Sequence, residues 1–227
     1  MVSGKQAFLF DLDGTLVDSV YQHVLAWHEA LEEAGIDLSV WRIHRKVGMS
    51  GGLMANALLR ETGREVSGEE AAQLNKLHAE AYARRSGEVR LLPGSRELLS
   101  LLTQLGVPWA VATSGYVESA GPVLALLQVP QGVPVITRDQ VARAKPDPDL
   151  FLAAAERLGM DIADSVVVGD SVWDLLAARR ARALGVGLLS GGYGREELER
   201  AGAYRVYEDP ADLLLHLDEV GVRVPSA

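Results

Sequence analysis

The chain has 227 residues, a formal net charge of -9, 48% hydrophobic and 23% charged residues, and no cysteine. That length suffices for one sizeable core, or for a core domain with a smaller one attached. The acidic balance provides no field to collect nucleic acid or an anionic membrane, and the lack of cysteine excludes disulfides, thiolate nucleophiles and Cys-ligated zinc.

The opening MVSGKQAFLFDL is a short strand-like run followed at once by acids rather than a signal-peptide core. No apolar run reaches the roughly 18 residues of a membrane span, so a cytoplasmic protein is expected. After this first strand, residues 20–34, 50–61 and 69–85 carry helical patterns joined by Gly35, Gly48, Gly51, Gly52 and Gly63, with no good strand. Residues 20–87 therefore read as a small helical domain inserted after the first strand, with hinges near Ser19 to Val20 and Gly87 to Pro93. From residue 90 onward, short β-rich runs (Trp109 to Thr113, Val133 to Thr137, Ser165 to Val168, Val186 to Leu189, Tyr204 to Tyr207) alternate with helical patterns at 95–105, 117–127, 149–158, 173–183 and 195–201. This alternation predicts an α/β fold in which a Rossmann-like, doubly wound parallel sheet, residues 1–19 and 88–227, is covered by helices on both faces. The closing VPSA reads as a loose tail.

Ligands of such folds sit at the carboxyl ends of the strands, where Asp11, Thr113 and Asp170 all fall. In FLFDLDGTLVDS, Asp11 and Asp13 would point to opposite sides of a continuing strand, but Gly14 lets the chain turn so that both face one site; Asp-Gly is also an ordinary turn. A second acidic pair stands in VVVGDSVWD, where Asp170 ends a strand and Asp174 follows one helical turn later. Four converging carboxylates repel one another unless a hard cation binds among them, and Mg²⁺ suits this donor set. Lys145 in AKPDPD adds a positive charge in extended geometry before Pro146, with Asp147 and Pro148 as N-cap and first position of the next helix. Thr113 and Ser114 in VATSG place hydroxyls at a strand end, where they could equally be helix caps. Taken together, two carboxylates, a hydroxyl, an ammonium and a cation site are the equipment of phosphoryl transfer through an aspartyl-phosphate.

The ordered residues Asp11-x-Asp13-Gly14-Thr15, Thr113, Lys145 and Gly169-Asp170-x-x-x-Asp174 resemble the four motifs of the haloacid dehalogenase superfamily, and DLDGTLVDS is similar to its phosphoglycolate phosphatase and β-phosphoglucomutase-like branch. The resemblance covers nearly the whole chain, the helical insertion corresponding to a cap. It implies that Asp11 attacks phosphorus, and that Asp13 protonates the leaving alcohol and then activates water. It implies too that Mg²⁺ is held by the Asp11 side chain, the Asp13 carbonyl and Asp170, with Asp174 a ligand directly or through water. Thr113, Ser114 and Lys145 would hold phosphoryl oxygens. An acid at Asp13 marks a phosphatase or phosphomutase rather than a dehalogenase, since a halide leaves without a proton. Arg182 departs from the pattern, standing where relatives carry a helix-ending glycine; with Arg179 and Arg180 it reads as a solvated helix face.

Substrate choice would then belong to the cap, where His23, one helical turn from Trp27, and the basic Arg45 and Lys46 are expected to face the cleft. His44, His78 and His216 have no metal-like spacing and read as surface or packing residues. The expected activity is Mg²⁺-dependent hydrolysis of a small phosphorylated metabolite such as phosphoglycolate or a sugar phosphate, by a monomer, with a dimer as the alternative. A sugar phosphomutase is the second reading, weakened because Arg42, Arg45 and Lys46 precede Gly48 and no base follows it. A phospho-switch binding module is the third, opposed by Asp13 and by the helical insertion.

Overall fold

The computed structural model describes residues 6–63 and 67–223; the terminal VPSA and the first five residues lie outside the described residues. Strands β1 (Ala7–Phe10), β4 (Trp109–Ala112), β5 (Val135–Ile136), β6 (Ser165–Gly169), β7 (Leu184–Leu188) and β8 (Ala203–Tyr207) form one parallel sheet. Their order across it is β5-β4-β1-β6-β7-β8, so β1 lies near the centre and the chain winds outward from it in both directions. β1, β4 and β6 are buried along their whole length, which is why they read as continuous apolar runs rather than alternating ones.

The period of two along β1 divides the core into two layers. Phe8 and Phe10 face the layer that takes Leu98 and Leu102 of α5 (Ser95–Gln104), Val123 of α6 (Val117–Leu127) and Leu213 of α10 (Pro210–Leu215). Leu9 faces the other, with Phe151 of α7 (Asp149–Leu158) and Ala177 of α8 (Val172–Ala181). The helix α9 (Arg195–Ala201) closes the β7–β8 edge through Leu198. The α7 helix begins one residue later than Asp147 and Pro148 suggested, because the Asp147 amide donates to Ala144 in a turn and Pro148 takes the N-cap place.

Between β2 (Val17–Asp18) and β3 (Arg90–Leu91) stand α1 (Val20–Glu33), α2 (Val40–His44), α3 (Gly51–Glu61) and α4 (Gly68–Arg85). They enclose an apolar cluster of their own, including Val24, Trp27, Ile43, Leu58 and Leu74. α4 starts with a capping box between Ser67 and Glu70. β2 and β3 pair antiparallel, Val17 opposite Leu91 and Asp18 opposite Arg90, so a small ribbon occupies the two connections that the sequence marks only as hinges. Two residues per strand are too few to show a period. Among the described residues, no helix is long and apolar enough to cross a membrane.

Candidate active site

Asp11, Thr113 and Asp170 each sit just past a strand end, Asp174 in the first turn of α8, and Lys145 in the loop that precedes α7. The Asp11 amide donates to Val168 at 2.9 Å, prolonging the β1–β6 ladder by one step. The chain then coils: Leu16 donates to Leu12, Gly14 donates to Val17, and Gly14 has φ of +84°. A Cβ at Gly14 would lie 2.4 Å from Asp170 Oδ2, so the glycine serves both the turn and the close approach of the second acid. Asp170 follows β6 and accepts from Thr15 Oγ1 at 2.8 Å. Ser171 caps α8 in a capping box with Asp174, whose Oδ2 accepts from the Ser171 amide at 3.1 Å and hydroxyl at 2.5 Å. Asp174 Oδ1 is left facing Lys145 Nζ at 2.8 Å. Lys145, fully buried over the Phe151 ring, also contacts Asp11 Oδ1. Thr113 is held past β4 by its backbone N–H, which donates to the Ile136 carbonyl, and its Oγ1 accepts from the Gly115 amide at 3.0 Å, while Ser114 Oγ donates to the Gly48 carbonyl of the helical insertion at 3.3 Å.

Burial and crowding set the charges. Burial, opposed by Lys145 and reinforced by the Asp174 and Asp13 charges, raises the Asp11 carboxyl to about 7. Burial and the Asp174 and Asp11 charges push Asp170 well above the usual carboxylate range. Burial alone would lower Lys145, but the Asp11 and Asp174 charges outweigh it and raise its pKa, keeping the ammonium charged. At Asp13, burial is outweighed by the charge and hydrogen bond of His23 and the bond from Ser19, which hold the carboxyl below its ordinary value.

The donor set fits a hard divalent cation. One oxygen each from Asp11, Asp170 and Asp174 lie within 4.8 Å of one another, all three residues are buried, and among the described residues Lys145 is the one cation paired with them. Such an excess of buried negative charge, all on oxygen, is what a hard divalent cation satisfies. The Asp13 carboxylate is outside this cluster: it accepts from Ser19 Oγ at 2.6 Å and stands 3.3 Å from His23 Nε2. An ionised carboxylate only accepts, so His23 Nε2 carries the hydrogen.

Asp11, Asp13, Thr113 and Ser114 open onto a cavity of about 330 Å³ between the strand ends and the helical insertion, while Lys145, Asp170 and Asp174 lie behind them. His23 lines the cavity as well. Arg45 and Lys46 do not: Arg45 pairs with Glu197 and lies 4.2 Å over the Tyr193 ring, and Lys46 pairs with Glu61 at 3.2 Å. Carboxylates that periodicity could not bring near them have captured both bases. His44 packs on Tyr21 and its Nε2 stands 2.8 Å from the Gly191 carbonyl, joining insertion to core.

His78 packs, as read, but it also lines the cavity. Its Nε2 stands 3.2 Å from His23 Nδ1 and its ring stacks on Trp27 at 4.2 Å, while His23 stacks on Tyr82 at 3.8 Å. Burial and the His23 charge, opposed by Asp13, hold His78 well below its ordinary pKa and so neutral near pH 7. The signal that could have found it is its spacing from Tyr82, one helical turn, matching that of His23 and Trp27.

Comparison with known proteins agrees with this geometry. A family model described as a haloacid dehalogenase-like hydrolase matches residues 5–182. Hexitol phosphatase A of Escherichia coli strain K12 is 32% identical over 179 residues, covering 78% of this chain and 79% of that protein. A phosphoglycolate phosphatase of Agrobacterium fabrum strain C58 is 34% identical over 188 residues, covering 81% and 80%. The crystal structure of a hydrolase from Pseudomonas syringae superposes with a TM-score of 0.93 at 55% identity, covering 96% of this chain and 100% of that one. With its motifs at the strand ends and most of its length matched, the chain belongs to the haloacid dehalogenase-like hydrolases.

Proposed function

We propose that the chain is a Mg²⁺-dependent phosphatase that hydrolyses a small phosphate monoester through an aspartyl-phosphate on Asp11, with the helical insertion as a cap that contacts the leaving alcohol. The observation that carries the reading is the pairing of Asp11 and Asp13 at one cavity with Lys145, Asp170 and Asp174 buried behind Asp11.

Asp11 attacks phosphorus as its carboxylate, the P–O bond to the alcohol breaks, and Asp13 gives the departing oxygen its proton. Asp13 then takes a proton from water as that water attacks phosphorus, releasing inorganic phosphate and freeing Asp11. Without ligand, His23 keeps Asp13 ionised; a phosphate dianion brought beside it favours the protonated form needed for the first step. Acid-base help of this kind is worth about 10²–10⁴-fold. Thr113, Ser114 and Lys145 would hold phosphoryl oxygens. A Mg²⁺ held by Asp11, Asp170, Asp174 and the Asp13 carbonyl would, when bound, neutralise phosphoryl charge.

Among the described residues, no lysine or arginine lines the cavity, which disfavours a phosphomutase that must seat a second phosphate. The test is phosphate release from a panel of esters with and without Mg²⁺: release should need the metal and vanish in Asp11→Asn. Release that survives either change contradicts the proposal.

A further inference from the structure

Gly191, in the turn that follows β7, has Asp170 of the cation site on one side and the helical insertion on the other. Asp170 is buried, and its Oδ1 accepts from Thr15. Its Oδ2 has the backbones of Gly14 and Gly191 against it, and a Cβ on either glycine would overlap it. Ser190 Oγ donates to the Gly14 carbonyl at 2.6 Å, tying the two glycine segments together. Glycine is the residue that lets two stretches of chain close on one side chain in this way, so the place of Oδ2 is set by packing against backbone.

The insertion holds the same segment from the opposite side. His44 Nε2 lies 2.8 Å from the Gly191 carbonyl, and since a carbonyl only accepts, this nitrogen carries the hydrogen. Gly192 has φ of +83°, and a Cβ there would stand 2.9 Å from Tyr21 Oη and 3.0 Å from His44 Nε2. Two successive glycines thus clear both faces of the segment, one toward Asp170 and the next toward the insertion. Tyr193 Oη then donates to the Arg45 carbonyl at 3.1 Å, and the Arg45 guanidinium lies over the Tyr193 ring and pairs with Glu197. That half-exposed ion pair contributes little by itself. The bond from His44 matters more, because Gly191 is buried and a buried carbonyl that loses its donor carries its full desolvation cost.

Resting on the reading of Asp170 as a Mg²⁺ ligand, we infer that His44 is a positioning residue for Asp170, acting through Gly191, so that docking of the insertion on Ser190–Tyr193 and cation binding favour each other. A ligand carboxylate has to be held within about 0.5 Å of its productive place. Gly191 alone spans the gap between His44 and Asp170, so a displacement of that size passes directly from one to the other. The linkage is reciprocal: whatever factor docking adds to cation affinity, the cation adds to docking.

The experiment titrates Mg²⁺ calorimetrically into the whole chain, without phosphate ester, in wild type, His44→Phe and His44→Gln. Phe keeps a ring against Tyr21 and Tyr193 but has no hydrogen to give Gly191, whereas Gln can give one from its amide. Affinity should fall about tenfold in His44→Phe and be largely regained in His44→Gln. In parallel, Mg²⁺ should slow amide hydrogen exchange over residues 40–47 of the wild type, none of which belongs to the donor set, and should leave it unchanged in His44→Phe. Unaltered affinity in His44→Phe, an equal loss in both variants, or wild-type exchange over 40–47 indifferent to Mg²⁺ overturns the inference while leaving the cation site intact. The wild-type exchange decides the matter alone if His44→Phe does not fold. A wild-type chain that takes up no Mg²⁺ overturns the cation reading and the inference with it.

Discussion

The ammonium of Lys145 lies 2.8 Å from the carboxylate of Asp174, and neither side chain reaches solvent. On its other side the same ammonium meets Asp11, so a single buried charge compensates both the attacking carboxylate and the carboxylate that also caps α8. In Lys145→Met that compensation is gone. Removing one partner of a buried pair costs about 3–5 kcal/mol, and phosphate release should fall below detection. Denaturant unfolding in metal-free buffer and an endpoint phosphate assay check the two parts; unchanged stability would show that the carboxylates do not depend on Lys145.

His23 sets the charge of Asp13 from the insertion side. Its charge and hydrogen bond lower the Asp13 pKa against the effect of burial. In His23→Gln burial prevails, so the Asp13 pKa rises, and because the first step needs Asp13 protonated, the high-pH limb of kcat/KM should move to higher pH. A limb that stays in place while activity falls would assign His23 to packing against Tyr82 alone.

Gly14 combines a left-handed backbone with contact to Asp170. Gly14→Ala should lower stability by about 1–3 kcal/mol and, by displacing Asp170, reduce phosphate release about a hundredfold. Calorimetric Mg²⁺ titration should show weakened binding. Normal binding in the variant would mean that Asp170 tolerates the displacement.

At Arg182, exposed and with φ of 64°, a side chain occupies the left-handed residue that ends α8. The sequence marked the departure from glycine there, and the backbone supplies its physical meaning. Arg182→Gly should stabilise the protein by about 1 kcal/mol without altering turnover. A variant no more stable than the parent would show that the surrounding turn already absorbs the strain.

The core was legible because burial on both faces writes β1, β4 and β6 as unbroken apolar runs, and because Asp11, Thr113 and Asp170 fall where such runs stop. The order of the strands was not, since pairing β1 with β6 joins residues that no local period relates. The far end of the site was read least well. Arg45 and Lys46 are basic and close to a glycine loop, but Glu197 and Glu61 hold them away from the cavity. His78 joins the site by stacking on Trp27 and meeting His23 Nδ1 of another helix, contacts that require α1 and α4 to be packed before they can be seen.

The claim on which the account rests is that Asp11 becomes phosphorylated. Asp13→Asn should slow water attack on the intermediate, so that a brief incubation with an accepted ester and Mg²⁺, quenched in acid, leaves one phosphoryl group on the protein. Mass spectrometry of the intact chain and then of its peptides should find it on Asp11, and find none in Asp11→Asn. A phosphoryl group at another residue, or full phosphate release with no protein-bound phosphoryl group at any time, would contradict the account.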